Sequence, residues 1–330
     1  MTSTRLSPFG MAGVKALRAK YTTNHVTFFT CIHRLTLRNR SRILLPMNTL
    51  DATQRCAVIA ALVEGNSIRS VERMTGIHRD TIMRFMVRVG NGCADLMDRE
   101  MRNLNCQRLQ LDELWAFVGM KQKRASQLAD RGEFGDAYTF VALDADTKLV
   151  PCFHVGRRTW NDTSIFIDDL RSRVVNRPQI STDAFRPYYG AIRRAWDSNV
   201  DYAQIIKVFA SELNTGRGRY SPPQMVNSER EVLIGSPDED FISTSYVERQ
   251  NLSVRMECKR FARLTLAFSK KLANLKASVA LHYAHYNFVR VHRTLRCTPA
   301  MAAGVTDRLW SVGELICVAL DSETGLRESG

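Results

Sequence analysis

The stretch Leu111-Asp112-Glu113-Leu114-Trp115-Ala116-Phe117-Val118-Gly119 decides how this chain is read. Its leucines, aromatics and valine favour a half-buried β-strand. An ionised carboxylate in such a strand is expensive unless something compensates it. Two further acids stand in similar settings: Asp183 in Ile180-Ser181-Thr182-Asp183-Ala184-Phe185, and Glu248 in Tyr246-Val247-Glu248-Arg249-Gln250-Asn251. Three carboxylates that converge in space form a site for hard divalent cations and hence for chemistry on phosphates. Bland readings stand beside this one. Asp183 can serve as a turn residue, Glu248 can pair with Arg249 or Arg255 on a solvated helix, and Glu113 can face solvent.

The segments around these acids predict a mixed α/β layout. Leu109–Val118, Ala137–Asp144 and Leu149–Gly156 read as strands, with the turn Asp144-Ala145-Asp146-Thr147 joining the last two. Asn161 reads as the cap of a helix carrying Ile165, Ile167 and Leu170. A short strand Gln179–Thr182, a helix Pro187–Trp196, a strand Tyr202–Phe209 and a helix starting at Thr244 follow. This order predicts a mixed sheet covered by helices, with Asp112 on its first strand, Asp183 at the carboxyl end of its fourth, and Glu248 on a covering helix. Residues 211–241, holding three glycines and three prolines, read as an excursion before that helix.

Upstream, the pattern is helical. Asp51 can cap a helix whose apolar residues run to Val63 and stop at Glu64-Gly65-Asn66; Ser67 can cap a short second helix stopped by Gly76. A third is expected from about His78 to Val89, with Ile82, Phe85 and Met86 inside and Arg79, Thr81, Arg84 and Arg88 outside. A short helix, a glycine stop and an Arg-bearing helix form a helix-turn-helix pattern, whose last helix enters a major groove. A generic three-helix bundle with a solvated basic face is the alternative. Residues 93–107 read as a linking helix, and 1–46 as a basic leader. That leader fits a transit peptide, a nucleic-acid-binding arm or an over-extended gene start before Met47, and the last is preferred. The leader is expected to be poorly ordered.

Composition narrows the partners. The 330 residues hold 47 Lys+Arg against 33 Asp+Glu, a formal charge of +14, which favours a polyanionic partner such as nucleic acid. Much of the excess lies between Arg249 and Arg296, where Arg249, Arg255, Lys259 and Arg260 follow Glu248 and aromatic residues interleave. Such a run suits phosphate contacts beside the acidic centre. The eight cysteines show no Cys-x-x-Cys spacing, so reduced thiols in a cytosol-like compartment are expected rather than zinc or disulfides. No apolar run reaches the roughly 18 residues of a membrane span, so a soluble, cytoplasmic and nucleoid-associated protein is expected. His282 and His285 share a helical face with aromatics and read as core or phosphate-contacting residues.

The motif set resembles the DDE transposases of bacterial insertion-sequence elements, and most closely the insertion-sequence-one family. It is carried by Leu111–Val118, Ser181-Thr182-Asp183, Ser243–Asn251, Tyr286-Asn287-Phe288-Val289-Arg290-Val291-His292-Arg293-Thr294-Leu295 and Thr298–Gly304, spanning about 47–309. The resemblance implies a ribonuclease H-like mixed sheet (108–310, with the 211–241 insertion) behind an all-α helix-turn-helix domain (47–92), and a C-terminal tail (311–330). It implies Asp112, Asp183 and Glu248 as catalytic ligands of two Mg²⁺ (or Mn²⁺) ions, with Glu113 a bystander. The implied reaction is 3′-end nicking and strand transfer into target DNA. Terminal inverted repeats would be bound through residues such as Arg79, Thr81 and Arg84, and the protein would act as a homo-oligomer in the synaptic complex. Many members carry a Cys-based zinc finger that this chain lacks, and the leader has no counterpart. A domesticated or inactive helix-turn-helix regulator, and a nuclease that cuts without joining, are the competing readings.

Overall fold

The computed structural model describes residues 50–130, 132–209, 225–263 and 265–325. The expected leader therefore lies outside the described residues. The chain enters through α1 (Ala52–Val63), where Asp51 accepts a hydrogen bond from the Gln54 amide and the Gln54 side chain accepts one from the Asp51 amide. This reciprocal cap satisfies two otherwise unpaired groups at the helix end. Ser67 caps α2 (Ile68–Thr75), which ends at Gly76 in the left-handed conformation. The third helix, α3 (Arg79–Glu100), is longer than its sequence pattern suggested. It runs unbroken through 93–100, so the expected separate linking helix is its second half. Glycine permits this continuation: Gly90 lies directly against the Ala277 backbone and Gly92 against that of Ala319, where a Cβ would collide.

The sheet begins with β1 (Arg108–Val118), followed by the single turn α4 (Gln122–Ala125), β2 (Gly135–Asp144) and β3 (Phe153–Gly156). The third strand is shorter than the expected Leu149–Gly156. Val150 instead packs in the core, its backbone N–H and C=O both bound by the Asn287 side chain. Next come α5 (Trp160–Arg173), β4 (Gln179–Asp183), α6 (Pro187–Trp196), β5 (Asp201–Phe209) and β6 (Met225–Ile234). The cap of α5 is Thr159, whose hydroxyl accepts from the Asp162 amide, rather than the expected Asn161. Part of the expected excursion at 211–241 is thus an edge strand, β6.

The six strands lie in the order β3-β2-β1-β4-β5-β6. β1 pairs antiparallel with β2 and parallel with β4; β4 and β5 are parallel, and β6 is antiparallel to β5. This mixed order is compatible with a ribonuclease H-like fold. The chain closes through α7 (Ser245–Glu257), α8 (Leu272–Ala284), a π-helical turn His285–Val289, α9 (Pro299–Ala302) and α10 (Val312–Gly325). Val312–Gly325, within the segment expected as a tail, therefore form a helix, with Leu315, Ile316 and Ala319 buried.

One hydrophobic core runs from Ile59, Met86, Val89 and Leu96 through Leu109, Leu111 and Phe140 to Tyr283, Phe288 and Leu315. A smaller cluster of Val58, Val71, Ile77 and Ile82 holds the three amino-terminal helices to one another. The second half of α3 packs on α8 and α10. Among the described residues no helix is long and apolar enough to cross a membrane.

Candidate metal centre

β1 and β4 run side by side, Gln110 opposite Ser181. Two residues further along this parallel register stand Asp112 and Asp183, at the carboxyl end of β4. Carboxyl ends of neighbouring parallel strands are where open α/β sheets expose their functional groups. Gln110 lies on the same face as Asp112, because side chains alternate along a strand. Its buried amide oxygen accepts hydrogen bonds from the Tyr246 and Val247 amides at 2.9 and 3.1 Å. Those are first-turn donors of α7, which would otherwise lack partners. Gln110 thereby pins the helix start, and Glu248 follows one residue later. Asn251, one turn on, donates to Asp112 Oδ2 at 2.8 Å. Asp112, Asp183 and Glu248 line one cleft of about 690 Å³, with Arg158, Lys207 and Thr244.

The carboxylates are not equivalent. Burial pushes the Asp112 carboxyl up to about 6; the negative charges of Asp183 and Glu248 push the same way, while the Glu113 amide and Asn251 oppose them. Glu113 is pushed up to about 7, again chiefly by burial and then by Asp183. Its side chain is only 3% exposed and bonds Arg158 at 3.1 Å. The expectation of a solvent-facing bystander is therefore corrected. One oxygen each from Asp112, Glu113 and Asp183 lie within 4.8 Å of one another, close enough to share a metal ion. Glu248 lines the cleft but stands outside that group. Its Oε1 is held by Thr244 and by Lys207 of β5. The suggested pairing with Arg249 or Arg255 does not occur.

The donor set suits a hard divalent cation: every ligand is a carboxylate oxygen, the preference of Mg²⁺ and Mn²⁺. Glu113 is buried beside the Tyr188 hydroxyl and Arg158, and a cation shared with Asp112 and Asp183 would compensate its charge further. Against it stands Arg158, which bonds Glu113, approaches Asp183 at 3.7 Å and stacks on Phe185 at 4.1 Å. The acids Asp112, Glu113, Asp183 and Glu248 thus share their surroundings with the cations Arg158, Arg186 and Lys207.

The basic residues distribute unevenly. A larger cleft of about 920 Å³ gathers Arg79 from α3, Arg69 from α2, and Lys259, Arg260, Lys270 and Lys271 from the segment after α7. Arg79, Lys259 and Arg260, expected from sequence as phosphate-contacting groups, thus meet in one place. Thr81 and Arg84 do not line it; Arg84 is exposed on α3 and Thr81 half-buried. Arg260 bonds the Ser269 hydroxyl at 2.9 Å and its guanidinium reaches Met86, so much of it is committed to packing. Arg249 is exposed; Arg255 is half-buried, its pKa lowered by burial and then by Arg263. His282 and His285 are buried among core aromatics, as expected.

Gln110, Asn251, Arg158 and Lys207 join the site without having been among the residues expected there. Lys207 carried a usable signal, a charge inside the apolar run Ile205-Ile206-Lys207-Val208. Arg158, in the turn after β3, carried none.

No family model matches the chain, and no curated protein matches it. Among solved structures it is similar to a piggyBac transposase synaptic complex with hairpin DNA, determined by cryo-electron microscopy. The TM-score is 0.34 and the identity 10%, over 90% of this chain and 77% of that one.

Proposed function

We propose that this protein is a DDE-type DNA transposase, of the insertion-sequence-one kind, that nicks element ends and transfers the freed 3′ ends into target DNA. The observation that carries the reading is the placement of Asp112 beside Asp183 on neighbouring parallel strands, with Glu248 in the same cleft. Two Mg²⁺ or Mn²⁺ ions held by these three acids would supply the charge that activates a water or 3′-hydroxyl and stabilises the leaving 3′ oxygen. Glu113 belongs to the same oxygen-rich group and is a fourth candidate ligand.

The remaining groups prepare the site. Asn251 and the Glu113 amide hold both oxygens of Asp112 in one orientation. Gln110 fixes the start of the Glu248 helix, and Arg158 keeps the buried Glu113 charge tolerable. In this reading α1–α3 form the helix-turn-helix unit, with Arg79, Thr81 and Arg84 toward DNA. Duplex phosphates would continue along the basic cleft where Arg79 meets Lys259 and Lys270, on terminal inverted repeats held by more than one subunit.

Nicking of an inverted-repeat duplex tests the assignment. Mg²⁺-dependent cleavage is expected from the native chain and is lost in Asp112→Asn, with duplex binding changed less than about threefold. Cleavage surviving in that variant would move the chemistry elsewhere. Duplex binding without cleavage by the native chain would favour the regulator reading.

A further inference from the structure

Lys207 is the cation of the cleft that is paired directly with Glu248, and the proposed reaction leaves that pairing unexplained. It projects from β5 two residues beyond Ile205, the partner of Asp183 across the sheet. Its ammonium is paired with Glu248 Oε1, the atom that Thr244 also holds. Of the other cations of the cleft, Arg186 is exposed at its rim, and Arg158 is anchored three ways: on Glu113, near Asp183 and against the Phe185 ring. Lys207 shows a single acidic partner among the described residues, and both members of the pair are partly exposed, at 27% and 44%. An ion pair of that exposure is weak and readily exchanged. A lysine ammonium is a compact charge on a flexible stem, suited to changing partners in a way that a stacked guanidinium is not.

We infer that Lys207 is a counter-ion that exchanges partners: it holds Glu248 while the cleft lacks a divalent cation, and is released toward the DNA phosphate when a cation takes Glu248. Two consequences separate this role from simple packing. With Glu248 as a metal ligand, Lys207 and the metal compete for the same carboxylate, so removing the lysine strengthens metal binding. The released ammonium lies at the carboxyl edge of the sheet beside Asp112 and Asp183, where the scissile phosphate must sit for the acids to act on it. Removing the lysine therefore weakens turnover even where the metal is saturating. A residue that only supported the fold would move both quantities in the same direction.

The inference rests on reading the cleft as a divalent-metal site, and the test separates the two. Free Mn²⁺ is titrated against the full chain by electron paramagnetic resonance, with nicking of an inverted-repeat duplex measured in parallel. Native protein, Asp112→Asn, Lys207→Met and Lys207→Arg are compared, each first checked for a single cooperative melting transition well above the assay temperature. Lys207→Met is expected to bind Mn²⁺ roughly two- to fivefold more tightly, in line with a lost competing surface pair. Its nicking rate at saturating Mn²⁺ should fall at least about tenfold, and Lys207→Arg should recover much of that rate. Unchanged or weaker Mn²⁺ binding in Lys207→Met overturns the exchange while leaving the metal site standing. An undiminished rate at saturating Mn²⁺ overturns the phosphate role. If the native chain binds no Mn²⁺, or Asp112→Asn binds it equally well, the metal site itself is refuted and the inference falls with it.

Discussion

Replacing Asp112 with asparagine should stabilise the metal-free protein at alkaline pH, and the size of the gain should depend on pH. Burial lifts this carboxyl from its ordinary 3.8 to about 6. Each tenfold change in proton affinity is worth about 1.4 kcal/mol. A change of roughly a hundredfold therefore bounds the cost of the charged form at about 3 kcal/mol. The sign follows from proton binding. A carboxyl whose folded pKa is raised binds its proton more tightly in the folded state than in the unfolded one. Its stabilising contribution is present below about pH 4 and is lost as pH rises through about 6. An asparagine has no such dependence. The native chain should thus lose ground progressively to Asp112→Asn between about pH 4 and 6, with a constant gap above. The isosteric amide keeps the bond from the Glu113 amide. It can also donate to Asn251 Oδ1, a buried oxygen that lacks a partner in the native protein. Allowing about 1 kcal/mol for imperfect rearrangement at either pH, the variant should gain up to about 2 kcal/mol at pH 8 and lose about 1 kcal/mol at pH 4. Urea denaturation in EDTA at the two pH values measures it. Equal stability changes at both pH values, or a loss at pH 8, would refute the claim that the site holds an uncompensated buried charge. Saturating Mn²⁺ should narrow or reverse the ranking, since only the native acid set binds the ion.

Other perturbations probe the supports of the site. Arg158→Ala leaves Glu113 buried without its cation and should cost about 2–4 kcal/mol by urea denaturation at pH 8, less than a fully buried pair because the arginine is partly exposed. Gln110→Leu removes the acceptor for two α7 amides. It should cost about 1–3 kcal/mol and lower nicking more than metal-free stability alone explains, measured by rate at a temperature well below unfolding. Gly92→Val places a side chain against the Ala319 backbone; the overpacking should cost at least about 3 kcal/mol, read as a fall in melting temperature. Arg79→Ala with Arg84→Ala should weaken inverted-repeat binding about tenfold or more and reduce the salt slope by up to about 2, as two lost phosphate contacts require.

Much of the sheet was legible because its signals are local. Acid-bearing apolar runs, the Asp144–Thr147 turn and Pro187 at a helix start each constrain only their immediate neighbours. Element order leaves open which strands are neighbours; the structure pairs β1 with β4 in parallel, and that register brings Asp112 to Asp183. What escaped depends on long-range packing. The extension of α3 through 93–100 needs Gly90 and Gly92 to meet helices far along the chain, which no helical period announces. The carboxyl-terminal helix looked like a tail because its partner, α3, is equally remote in sequence. Glu113 was misjudged for a different reason. Strand alternation turns its side chain to the face opposite that of Asp112, where the Tyr188 hydroxyl and Arg158, both remote in sequence, make its burial tolerable. The conspicuous block Tyr286-Asn287 proves to be scaffolding: Tyr286 bonds the Lys148 carbonyl and Asn287 both backbone groups of Val150, fixing the entry to β3.

The central claim is that Asp112, Asp183 and Glu248 hold divalent ions together. A crystal of the native chain with Mn²⁺, measured at a wavelength where manganese scatters anomalously, tests it most directly. An anomalous peak is expected at coordinating distance, about 2.1 Å, from carboxylate oxygens of both Asp112 and Asp183, with Glu248 withdrawn from Lys207 toward it. A cleft without that peak at saturating Mn²⁺, or a peak elsewhere on the molecule while Lys207 keeps Glu248, would contradict it.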